Sequence, residues 1–111
     1  MHILQAENIR ELRATMLQIV YDNHFGRKSR LRLTPLHGAL ERLFFDISED
    51  ELVTVLEDLQ ERGYLTFTRD EQKWRKSREL IIGEIQITPR GRDLVEDAPG
   101  ARVKEPGISF D

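Results

Sequence analysis

The chain has no cysteine. That absence excludes a disulfide framework, a thiolate metal site and a cysteine nucleophile. No basic stretch followed by an apolar run opens the sequence, and no apolar run approaches the length needed to span a bilayer, so a cytoplasmic protein without a membrane partner is expected. A basic excess is also missing. Seventeen lysines and arginines stand against 20 acids, a net charge of −3, whereas dedicated nucleic-acid binders usually carry surplus positive charge. There is no glycine-rich phosphate loop, no G-x-S-x-G and no H-E-x-x-H. The many carboxylates are spaced like a helix surface, not like an acid and base paired across a cleft. The expectation is therefore a protein that is not an enzyme and carries no cofactor. His2, His24 and His37 are not at metal-ligand spacing, so no metal site is expected either.

What is present is one domain's worth of chain: 111 residues, 39% hydrophobic and 33% charged. The most informative stretch is Ile47 to Leu65. Ser48 and Glu51 form a capping box, in which the hydroxyl accepts from one backbone N–H and the carboxylate reaches back to another. Leu52, Val53, Leu56 and Leu59 follow at helical spacing on one face. Arg62 sits in the last turn, where a cation suits the helix dipole, and Gly63 is placed to end the helix in the left-handed conformation. Tyr64 to Thr68 then reads as strand.

The flanking segments complete the order. Glu7 to Asn23 predicts a first helix with a broad apolar stripe (Ile9, Leu12, Met16, Leu17, Ile19, Val20), wide enough for a core and for a homodimer seam. Met1 to Ala6 could extend it, and Gly26 suits its end. Arg30 to Leu33 alternates like a half-buried strand. Thr34-Pro35 predicts the cap and first residue of a second helix, with Leu36, Leu40, Leu43 and Phe44 as its buried face. Tyr64–Arg69 and Glu79–Thr88 predict a hairpin whose return strand shifts phase near Gly83, the mark of a bulge. The polar tip between them is Asp70 to Arg78. Thr88-Pro89 starts a short last helix reaching about Asp97. Residues 1–97 form the expected domain. Residues 98–111, with Pro99-Gly100 and Pro106-Gly107, read as an extended or disordered tail on which Val103, Ile108 and Phe110 could dock to a partner. Helices followed by one hairpin make an α+β fold.

The stretch from Leu31 to Leu94 resembles the winged helix-turn-helix superfamily of bacterial transcription regulators. The pieces that carry the resemblance are LTPLHGALERL, ELVTVLEDLQERGYL and ITPRGRDLVE. The whole chain is also similar to small winged-helix proteins of Mu-like phages and prophages, with Val103-Lys104-Glu105-Pro106-Gly107 matching a segment near their ends. The resemblance implies a three-helix core, a two-stranded β-hairpin wing and a short C-terminal helix. It implies a DNA-binding regulator, although this architecture also serves as a protein-interaction module.

Charge divides these readings. Between Glu41 and Arg62 there are eight acids and two bases. A helix laid beside phosphates would bring Glu49, Asp50, Glu57, Asp58 and Glu61 into repulsion. That face is either solvated or docks on a basic protein surface, and the latter is the alternative function. The basic residues lie elsewhere. Arg27, Lys28, Arg30 and Arg32 cluster after the first helix. Lys73, Arg75, Lys76 and Arg78 surround Trp74 in the hairpin tip. A basic hairpin with an aromatic at its tip can clamp phosphates or enter a minor groove. It can equally keep a β-edge soluble. The preferred expectation is a small regulator, a homodimer through its first helix, that contacts double-stranded DNA through the hairpin and the loop after that helix.

Overall fold

The computed structural model describes residues 6–26, 31–72, 79–97 and 108, with residues 6, 7, 70–72 and 79–81 in their backbone alone. It is an α+β domain with helices α1 (Ala6–Gly26), α2 (Leu33–Arg42), α3 (Glu49–Glu61) and α4 (Pro89–Asp97). Between α3 and α4 run four short strands, β1 (Leu65–Thr66), β2 (Arg69–Gln72), β3 (Glu79–Ile82) and β4 (Gln86–Ile87).

The helices meet through the apolar stripes that the periodicity marks. Leu12, Met16 and Leu17 of α1, Leu36 and Leu40 of α2, and Leu52, Leu56 and Leu59 of α3 are fully buried. Burial of a leucine of this kind contributes about 2 kcal/mol. In α3 the fourth buried position is Val55, while Val53 is only partly covered. Ile9, Ile19 and Tyr21 of α1 also pack against this core, so its apolar stripe is spent largely within the chain. The Tyr21 hydroxyl donates to Glu96 Oε2 at 3.0 Å, tying α1 to α4. That bond to Glu96 is the main reason the phenol is held above its ordinary pKa.

Three expectations at and around α2 are corrected. The helix starts at Leu33 with Arg32 as its N-cap, in extended conformation and without a side-chain cap bond, so Thr34 is not the cap. Pro35 then stands third in the helix. A missing N–H is harmless there because the first turn has no intrahelical acceptor. The expected strand over Arg30–Leu33 also shrinks: Leu33 is helical, and Arg30 lies outside the described residues. One backbone bond survives, from Ile85 N–H to the Leu31 carbonyl at 2.9 Å. At its other end α2 stops at Arg42, which leaves Leu43 and Phe44 exposed and not in the buried face.

The strands form a hairpin in two segments. Leu65 pairs with Ile87 and Thr66 with Gln86; Arg69 to Gln72 pair with Ile82 to Glu79. Between the segments, Phe67 and Thr68 face three residues, Gly83, Glu84 and Ile85. One extra residue on the return strand is a bulge, at the point where the apolar pattern shifts phase. Gly83 N–H donates to the Thr68 carbonyl at 2.8 Å, and the Phe67 N–H turns to Gln60 Oε1 of α3 at 2.9 Å. Tyr64 lies in the bend before β1 and is not strand.

The hairpin is rooted where α3 ends and α4 begins. Gly63 has φ 85°, a conformation that lacks steric cost only without a Cβ. Thr88 Oγ1 donates to the Gly63 carbonyl at 2.6 Å and accepts from Gly91 N–H at 3.0 Å. Thr88 is thus the helix cap that Thr88-Pro89 signals, with Pro89 first in α4. Arg90 lies 5.2 Å over the Tyr64 ring. Of residues 98–111 only Ile108 is described, and it is buried with the core; Val103 and Phe110 lie outside the described residues.

Gly91 is packed against the chain: a Cβ there would drive into the Tyr64 carbonyl and the Ile87 side chain. Gly91→Ala is expected to destabilise by about 2–3 kcal/mol in urea unfolding, as overpacking does. Gly38, mid-helix in α2, would meet only the Arg42 side chain at 3.7 Å. Gly38→Ala is expected to stabilise by about 0.5–1 kcal/mol. Equal effects of the two substitutions would refute this account of the root.

Candidate nucleic-acid interface

Helix α3 begins as its sequence predicts. Glu51 N–H donates to Ser48 Oγ at 3.2 Å, and Ser48 N–H donates to Glu51 Oε1 at 2.9 Å. Three acids, Glu49, Asp50 and Glu51, occupy the first turn, where the helix dipole favours them. Its buried face then fixes which acids point outward.

These acids do not share one fate. Asp58 receives two guanidinium groups: Arg13 Nε of α1 lies 2.9 Å from its Oδ2, and Arg62 Nε lies 3.0 Å from the same oxygen. Glu57 pairs with Arg69 at the start of β2. Glu49, Asp50 and Glu61 are exposed. Helix α3 is therefore divided along its length, about 20 Å at 1.5 Å per residue. Its C-terminal half, beside the hairpin, has Glu57 and Asp58 countered by arginines. Its N-terminal turn keeps Glu49 and Asp50 open to solvent.

An open groove of about 550 Å³ runs along the countered half, lined by Thr54, Glu57, Asp58, Gln60, Glu61 and Arg69. It is open to solvent, and the residues along it are polar or charged. Among the described residues, no three histidines or carboxylates converge as a metal site, and no helix is long and apolar enough to cross a membrane.

Of the basic residues singled out in the sequence, Arg32 is exposed at the N-cap of α2. Arg27, Lys28, Arg30, Lys73, Trp74, Arg75, Lys76 and Arg78 lie outside the described residues. The β2–β3 ladder brings the chain to their doorstep, since its last pair is Gln72 with Glu79. Charge reading missed Arg13, Arg62 and Arg69 as the groups that counter α3. The four-residue spacing of Asp58 and Arg62 is a signal for one of these pairs; the pairs to Arg13 and Arg69 join separate elements and leave no local trace. The sequence reading also missed three exposed large apolar side chains, Phe25, Leu43 and Phe44.

Comparison with family models, with curated proteins and with solved structures finds no match.

The double contact makes Asp58 the more consequential acid. Asp58→Ala is expected to lower stability by about 1–2 kcal/mol, since it removes one carboxylate that two guanidinium groups share, one of them the mostly covered Arg13. Glu57→Gln should cost under about 0.5 kcal/mol, because that pair is well exposed. Denaturant unfolding that ranks the two the other way would show that α1 and α3 are not joined through Asp58.

Proposed function

We propose that this chain is a small winged-helix DNA-binding protein, a transcriptional regulator whose wing is the β2–β3 ribbon. The order of α1, α2, α3, hairpin and α4 is compatible with that architecture. The observation that carries the reading is the unbroken pairing from Arg69–Ile82 to Gln72–Glu79. It leaves six connecting residues, 73–78, with four cations, one tryptophan and no acid. Such a sequence suits phosphate contacts, and the aromatic suits the edge of a minor groove.

The arginine pairing of Glu57 and Asp58 supports the same reading. The part of α3 nearest the ribbon is less negative than its composition, so a phosphate backbone approaching the ribbon meets less repulsion there. The open acids at the N-terminal turn keep α3 itself from lying in a major groove. Binding is accordingly dominated by phosphates, through Lys73, Arg75, Lys76 and Arg78 of the ribbon and Arg27, Lys28, Arg30 and Arg32 of the loop, with little base readout.

The alternative, a protein-interaction module that docks through the whole acidic face of α3, is weakened by the same pairs. Glu57 and Asp58 are engaged within the chain, which leaves Glu49, Asp50 and Glu61 for a partner.

The test is fluorescence anisotropy of a labelled random-sequence duplex over a range of salt. Binding should weaken steeply with salt. Arg75→Ala with Lys76→Ala should weaken it evenly across sequences and reduce the salt slope by about two units. Unchanged affinity and slope in the double variant would remove the ribbon from the mechanism.

A further inference from the structure

Two side chains of α3 hold the ribbon. Gln60 Oε1 accepts from the Phe67 N–H at 2.9 Å, and Glu57 pairs with Arg69. Residues three apart on a helix are neighbours on one face, separated by about 4.5 Å of rise. Residues two apart on a strand are separated by about 6.6 Å. Helix and strand therefore meet at two points of comparable spacing. Two such points fix a direction, where one would leave a pivot.

These contacts fall where the ladder itself gives least. The hairpin pairs at Leu65–Ile87 and Thr66–Gln86, and again from Arg69–Ile82 outward. Between those segments lies the bulge, and a bulge is where a strand bends. Phe67 sits in that gap and is buried, so its N–H needs a partner within the protein. Gln60 is that partner. The return strand is anchored separately, by Gly83 N–H on the Thr68 carbonyl at 2.8 Å and Ile85 N–H on the Leu31 carbonyl at 2.9 Å. A Cβ at Gly83 would drive into the Thr68 side chain, so the two strands are close-packed at the bend.

The rest of this half of α3 is engaged as well. Asp58 holds Arg62 of its own helix end and Arg13 of α1, which ties the helix to the core on one side while Gln60 and Glu57 reach the ribbon on the other. The polar groups of this half are thus spent on contacts within the chain.

We propose that the C-terminal half of α3 is a strut for the ribbon, with Gln60 and Glu57 as positioning residues that set its orientation and thereby its affinity for a duplex. Gln60 carries most of this role, because the Glu57–Arg69 pair is well exposed. The effect on affinity rests on the DNA-binding reading; the strut itself is tested in the free protein. A ribbon that spends only part of its time in the competent orientation binds more weakly by that fraction. Once bound it meets the same phosphates, so the salt slope is unchanged.

Gln60→Met keeps the length and charge of the side chain but removes the acceptor; Gln60→Glu restores an acceptor oxygen. Nitrogen-15 relaxation of the free proteins reads the strut. In the unaltered protein the amides of β2 and β3 should be as ordered as those of α3. In Gln60→Met they should lose order while α1, α2 and α3 keep theirs, and in Gln60→Glu they should regain it. Adding Glu57→Ala to Gln60→Met should loosen the ribbon further. In anisotropy with a random-sequence duplex, Gln60→Met should bind about five- to ten-fold more weakly with the salt slope of the unaltered protein. A ribbon as ordered in Gln60→Met as in the unaltered protein overturns the proposal, with or without DNA. A ribbon that loosens as expected, in a protein whose unaltered form binds no duplex at low salt, upholds the strut and overturns the DNA-binding reading.

Discussion

The hydroxyl of Thr88 holds the geometry on which the rest of the structure depends. It joins the last turn of α3, through the Gly63 carbonyl, to the first turn of α4, through the Gly91 N–H. Its own backbone N–H donates to the Tyr64 carbonyl at 3.1 Å. One residue thus fixes where α3 ends, where the hairpin leaves the helical core and where α4 begins. Gly91 lets α4 come close enough to the Tyr64 backbone for those bonds to form. The direction of the ribbon follows from that junction and from the bulge beyond it, where Gln60 of α3 takes the Phe67 N–H that the ladder leaves unpaired.

With the hairpin so rooted, α3 carries two different surfaces. Its inner face is leucine packed on leucine. Its outer face is acidic throughout in composition, but the fold treats its two ends differently. Arg69 reaches Glu57 from the ribbon, and Arg13 reaches Asp58 from α1. These pairs are partly exposed, and their contribution to stability is modest. Their effect on the surrounding field matters more: they offset negative charge beside the ribbon and leave it in place beside the α2–α3 turn. At that end Leu43 and Phe44 are exposed beside the open acids.

Local signals in the sequence are legible because their physics is local. Ser48 and Glu51 lie three residues apart, Gly63 ends its own helix, and Thr88-Pro89 caps the next; each needs no distant partner. The bulge at Gly83 was visible because an extra residue reverses the alternation of a strand. The misreadings arise where tertiary contacts decide. Helix α2 starts at Leu33, with Leu31, Leu33 and Leu36 all packed toward the core, which overrides the Thr-Pro signal inside its first turn. Leu43 and Phe44 fit the apolar spacing of α2, but the helix closes before them, so periodicity assigned them to a face that no longer exists. The acids of the candidate site were legible as charge. The arginines that counter them come from α1 and the ribbon, and nothing in a linear reading joins Arg13 to Asp58.

The most direct test of the central claim is residue-resolved. Isotope-labelled protein titrated with a short duplex should show amide shift changes concentrated at residues 69–82 and at Arg32. Glu49 to Leu52 at the start of α3 should remain unmoved, since that turn is held away from phosphates by its own charge. Shifts centred on the first turn of α3, with the ribbon silent, would contradict the account.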